Sequence, residues 1–164
     1  MRRTSFARWP CSIARAVDIL GDWWTPLVLR EAYYGVRRFD DFEQALPVSR
    51  NVLAQRLRRL VDVGLLSKVP YSDRPPRFEY EPTEMGLEFW SVLAAMSAWG
   101  DRWLDGGDGA PILFHHAACG QDMAAVVVCS KCGQPISPEG VHSRLGPGYP
   151  DRLREQALAS GRFG

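Results

Sequence analysis

"SRNVLAQRLRRLVDVGLL", residues 49–66, decides how the chain folds. Leu53, Leu57, Leu60 and Val61 recur at i, i+4, i+7 and i+8, the spacing of one buried stripe along a helix. At about 100° per residue, Asn51, Gln55 and Arg58 lie opposite that stripe, and Arg56 and Arg59 flank it. Four arginines and no acidic residue fall between Arg50 and Arg59, so one face suits a core and the other suits a polyanion. Ser49 can cap this helix and Gly64 can end it, which predicts a helix over 49–63.

The flanking sequence gives the helix a setting. Phe39, Phe42 and Leu46 have helical spacing, and Pro47 breaks that helix just before Ser49. Further upstream, Ser12 caps a helix that Gly21 and Asp22 end, and a second opens at Thr25 with Pro26 in its first turn and runs to Gly35. Downstream, "LLSKVPY", "SDRPP" and "RFEYEP" read as two strands around a turn, a wing at 66–82 with Phe78 and Tyr80 on one face and Arg74 and Arg77 near the tip. Thr83 then caps a long helix reaching about Leu104. Leu87, Phe89, Trp90, Leu93, Met96, Trp99 and Trp103 give it more apolar surface than one small domain can cover, which predicts a homodimerisation helix.

The charge balance limits what can attract a partner. The 164 residues are 46% hydrophobic and 24% charged, enough for a compact core with an appendage, and the formal net charge is only +1. Through Glu81 there are 14 Lys/Arg against 10 Asp/Glu, and from Pro82 onward 6 against 9. Any attraction to nucleic acid must therefore come from placement in the N-terminal half. No apolar stretch approaches the roughly 18 residues that span a bilayer, and the N-terminus lacks signal-peptide features, so a cytoplasmic protein without a membrane partner is expected.

Short helix, turn, longer helix and basic hairpin, in that order, make a winged helix-turn-helix. In this geometry the second helix enters the major groove of double-stranded DNA, while wing and helix ends contact phosphate. Ser49, Arg50, Asn51, Gln55 and Arg58 are the candidates for the groove; Arg37, Arg38, Arg74 and Arg77 are the candidates for phosphate. A basic run alone is more often a solvated face. The turn before it and the hairpin after it favour the DNA reading.

The stretch "CSIARAVDILGDWWTPLVLREAYYGVRRFDDFEQALPVSRNVLAQRLRRLVDVGLLSKVPYSDRPPRFEYEPTEMG" resembles the HxlR-type bacterial transcriptional regulators, winged-helix proteins related to the MarR type. The likeness covers about 11–104 and rests on Cys11, "GDWWTPLVLRE", "GVRRFDDF", "LAQRLRRLVDVGLL" and "RPPRFEYEPTEMG" in family order. It implies a homodimeric DNA-binding regulator whose N-terminal segment and long last helix build the dimer. A two-fold dimer presents its reading helices about 34 Å apart, which fits a pseudo-palindromic site; a repressor is the leading expectation.

The cysteines carry separate expectations. Cys11 precedes the first helix, where helix-end N–H groups favour thiolate. Some members of the resembled family use a cysteine there to sense oxidants or reactive aldehydes; a small buried hydrophobe is the alternative. After a linker at 105–111, residues 112–145 hold His116 and Cys119 as HxxC, then Cys129 and Cys132 as CxxC, each pair followed by glycine. Two such knuckles suit a structural zinc in a small β-rich, zinc-ribbon-like extension, with His115 as a competing ligand. Buried thiols on a hairpin, or a Cys129–Cys132 disulfide, are the alternatives. Residues 146–164 read as an uninformative tail with a short helix near 152–159.

Trp23, Trp24, Trp90, Trp99 and Trp103 raise the idea of a pocket for a small effector, against simple aromatic packing. A protein-interaction module built on the cysteine hairpin, and a thiol redox protein using Cys129 and Cys132, are the other function classes. The second lacks a thioredoxin-like βαβ context. No Ser/His/Asp constellation, phosphate loop or paired-carboxylate motif has a supporting context, so an enzyme is not expected.

Overall fold

The computed structural model describes residues 5–163. The chain divides into two compact units: one holds Ile19–Ala125, the other combines the residues up to Asp18 with those from Val126 onward.

In the Ile19–Ala125 unit, α2 (Trp24–Tyr33), α3 (Phe39–Ala45) and α4 (Arg50–Asp62) surround one core. Val28, Leu29 and Ala32 of α2, Phe42 of α3, and Leu53, Leu57 and Leu60 of α4 are buried there with Leu46, Leu65 and Leu66. Each leucine so covered stabilises by about 1.5–3 kcal/mol, which makes the stripe of α4 the main anchor of that helix. The ends follow from sequence. Ser49 Oγ accepts the Val52 N–H at the start of α4, and Gly64, at φ +80°, closes its end in a conformation that side-chain-bearing residues avoid. Asp22 differs from expectation: Gly21 ends the preceding helix, and Asp22 opens α2 by accepting the N–H groups of Trp24 at 2.8 Å and Thr25 at 3.2 Å.

Strands β1 (Leu66–Asp73) and β2 (Pro76–Pro82) pair antiparallel, with Lys68 opposite Tyr80 and Val69 opposite Glu79. The register slips between Pro70 and Ser72, leaving Tyr71 as a bulge. A third segment joins the hairpin: the Tyr80 N–H donates to the Arg37 carbonyl at 2.8 Å, and Arg38 forms a bridge with Glu79.

Helix α5 (Glu84–Trp103) begins where Thr83 Oγ1 accepts the Gly86 N–H at 3.1 Å. Gly86 lies so close to the residue before β1 that a Cβ there would stand 2.1 Å from the Leu65 carbonyl oxygen, and its own carbonyl accepts the Tyr33 hydroxyl. Phe89, Leu93 and Ala94 face the core, whereas Leu87, Met96, Trp99 and Trp103 are exposed. The unit continues past 105–111 to a small hairpin of β3 (Phe114–His116) and β4 (Gln121–Met123), with Phe114 edge-on to Trp90 at 5.6 Å.

In the other unit, α1 (Ser12–Leu20) contributes Asp18, which is buried and accepts the Phe6 N–H at 3.0 Å. Val128 and Pro135 form one isolated bridge, and α6 (Asp151–Ala159) closes the chain. Of the extension expected over 112–145, the HxxC part lies in the Ile19–Ala125 unit and the CxxC part in the other. The HxxC turn folds its strand onto residues 121–123, because Gly120 at φ +67° lets its N–H return to the His116 carbonyl. The apolar run Val126–Val128 forms no strand and is exposed. Among the described residues, no helix is long and apolar enough to cross a membrane.

Candidate nucleic-acid interface

The burial of α4 sorts its polar residues as the periodicity predicts. Asn51, Gln55 and Arg58 are exposed, and Ser49 and Arg50 are exposed at the helix start. Asn51, Gln55 and Arg58 therefore share one solvent-facing stripe of groups that can bond base edges. Arg58 also lies close enough to the wing to act on Tyr80: burial pushes the Tyr80 phenol up, and the Arg58 guanidinium opposes that shift.

The remaining arginines divide by partner. Arg74 and Arg77 stand exposed at the wing and pair with no other described residue through their side chains. Lys68 adds a cation on β1, its ammonium over the Phe78 ring at 3.9 Å; the strand pattern hid it, because "LLSKVPY" carries only one charge. Arg50 is turned toward α3, paired with Glu43 and, at 3.4 Å, with Asp40, and stacked on Phe39 at 4.6 Å. Arg37 donates to the carbonyls of Ala32 and Val36, which satisfies the end of α2. Arg38 donates to Glu79 at 2.9 Å. Arg56 pairs with Asp22, two side chains that are 26% and 18% exposed and thus mostly withdrawn from a ligand. The structure therefore brings Asn51, Gln55, Arg58, Arg74 and Arg77 to the surface without side-chain hydrogen-bond or ion-pair partners among the described residues, and gives Arg37, Arg38 and Arg50 partners inside the protein.

The cysteine pairs are local turns. His116 Nδ1 lies 3.2 Å from Cys119 Sγ in one unit. In the other, the Lys131 N–H points at Cys129 Sγ at 3.4 Å, and backbone and Cys132 donors hold the Cys129 thiol below its ordinary pKa. His115 pairs instead with Asp122 at 3.2 Å. Among the described residues, no three His, Cys, Asp or Glu side chains gather as a metal-holding group, and all four cysteines are free thiols. Cys11 is exposed in the single chain.

Of the five tryptophans considered for an effector pocket, Trp90 alone lines the apolar cavity of about 270 Å³ between α2 and α5, together with Leu27, Tyr33, Leu93 and Phe114.

A buried helix-turn-helix core, an open polar face on its second helix and a cation-tipped hairpin define a winged helix-turn-helix protein. The chain belongs to the HxlR-like helix-turn-helix family, whose model matches residues 19–108, and is a DNA-binding transcriptional regulator. An uncharacterised HTH-type transcriptional regulator of Mycobacterium tuberculosis is 40% identical over 142 residues, covering 87% of this chain and 90% of the relative. Among solved structures, PA1607, described as a candidate transcription factor, superposes with TM-score 0.77 at 30% identity over 88% of this chain and 99% of its own. The redox regulator HypR in its reduced form superposes with TM-score 0.55 at 26% identity over 58% of this chain and 95% of its own.

Proposed function

We propose that the chain acts as a cytoplasmic homodimeric repressor that reads a pseudo-palindromic site through α4 and clamps the flanking phosphates with its wing. The observation that carries this reading is the uncommitted stripe Asn51, Gln55 and Arg58 beside the free Arg74 and Arg77. Asn and Gln suit adenine and Arg suits guanine, so the stripe supplies specificity while the wing supplies salt-dependent affinity. Met96, Trp99 and Trp103, exposed together on α5, support dimerisation, since so much aromatic surface is costly to leave in water.

The test is binding to duplex DNA across a salt series, with sedimentation to read the assembly. A dimer whose affinity falls steeply with salt supports the reading; a monomer, or salt-independent binding, contradicts it.

A thiol-responsive mode is the second element. The exposed Cys11 and the likeness to HypR, named a redox regulator, favour it. The cavity beside Trp90 favours a small apolar effector as the other source of control.

A further inference from the structure

Arg38 is exposed and basic beside the DNA-reading helix, which marks it by sequence as a phosphate contact. Its surroundings give it other work. Its backbone is extended and caps α3, the carbonyl accepting the N–H groups of Asp41 and Phe42, each at 3.1 Å. The same residue bridges to Glu79, and the neighbouring Arg37 carbonyl accepts the Tyr80 N–H at 2.8 Å. One residue thus belongs both to the start of the helix-turn-helix and to the edge of the wing.

The side chain reinforces that join from two directions. Its Nε donates to Glu79 Oε1 at 2.9 Å, and its guanidinium lies over the Tyr71 ring at 4.5 Å. Tyr71 is the bulge residue of β1, and a bulge re-aims a side chain out of the regular alternation. Glu79 is one of three acids on the hairpin, with Asp73 and Glu81, and the one of them that faces a guanidinium, on an element proposed to meet a polyanion. The pairing holds Arg38 firmly protonated and neutralises that carboxylate. Arg74 and Arg77, by contrast, have no such partner among the described residues.

We infer that Arg38 is a positioning residue: it latches the wing to the helix-turn-helix through Glu79 and Tyr71 and so places Arg74 and Arg77 on the phosphates, without contacting phosphate itself. This rests on the DNA-binding reading above. It reverses the sign expected for Glu79, because removing an acid near DNA ordinarily tightens binding, whereas removing half of a latch loosens it.

The experiment measures the affinity of the full chain for a mixed-sequence duplex of about three helical turns over a salt series. The variants are R77A, R38A, E79Q and the R38A/R77A pair, with thermal midpoints measured alongside. R77A is expected to lower the salt slope by about 0.9. E79Q and R38A each weaken binding several-fold, and in the R38A background the R77A change has little further effect, because the wing is already misplaced. Loss of folded protein alone would lower active concentration and leave the R77A slope change intact in both backgrounds, which overturns the latch. Equal or tighter binding by E79Q, with R38A and R77A slope losses adding independently, makes Arg38 a phosphate contact and also overturns it. If R38A misfolds, E79Q carries the test by the sign of its effect. An R77A protein with an unchanged slope removes the wing from the DNA and overturns both the latch and the reading beneath it.

Discussion

Arg56 on the flank of α4 forms an ion pair with Asp22, and the other oxygen of that carboxylate holds the first N–H groups of α2. One side chain thus ties α4 to the helix that carries much of the core. The arginine that sequence placed on the flank of the buried stripe pairs within the scaffold.

Asp22→Ala removes both the cap and the partner of a mostly covered guanidinium. It should destabilise the fold by about 2–4 kcal/mol, and Asp22→Asn, which keeps an acceptor for the cap, by less. Urea unfolding of the two variants checks the order; equal stability of wild type and Asp22→Ala contradicts it.

Gly86→Ala places a methyl group against the Leu65 carbonyl, a backbone group that cannot swing aside. The expected cost is about 3 kcal/mol, seen as a lowered thermal midpoint, because α5 must move off β1 to accept it. Gly100, in the same helix and with open space around its Cβ position, should tolerate alanine without loss.

Asn51→Ala and Arg58→Ala should each cost about 1–3 kcal/mol on the preferred sequence and much less on random DNA. Arg74→Ala should weaken both alike and flatten the salt dependence. Competition titrations separate the two patterns, and identical losses on both DNAs for every variant would remove Asn51 and Arg58 from base readout.

Mild oxidation should change the DNA affinity of the wild type and leave Cys11→Ser unchanged, if the exposed Cys11 is the responsive thiol. A Cys11→Ser protein that still loses affinity moves the response to another cysteine.

The HxxC and CxxC turns each have the form of a chelating arm, with a sulfur-directed N–H at Cys129 and positive-φ glycines at Gly120 and Gly133. Metal held at the CxxC turn predicts zinc in protein purified without chelator, lost in Cys129→Ser/Cys132→Ser. Metal-free protein of full stability contradicts it.

The elements were legible where periodicity and punctuation agree. Leu53, Leu57 and Leu60 declared the buried face of α4, and Ser49, Gly64 and Thr83 declared the ends, because caps and stripes are local. Side-chain partners were not legible, because they join distant positions: nothing near Arg38 announces Glu79, forty-one residues on, and nothing near Arg56 announces Asp22. Periodicity separated Arg58 from Arg56 and Arg59 in sequence, but it did not name their partners. Arg50 answers to Asp40 and Glu43 and Arg56 to Asp22, while Arg58 and Arg59 form no ion pair among the described residues.

The most direct measurement is selection of bound sequences from a pool of random duplex DNA by the full chain. Base reading by paired α4 helices predicts enrichment of two inverted half-sites with centres about one helical turn, roughly 10 base pairs, apart, and loss of that enrichment in Asn51→Ala/Arg58→Ala. A pool that stays random, or the same enrichment with both side chains removed, contradicts it.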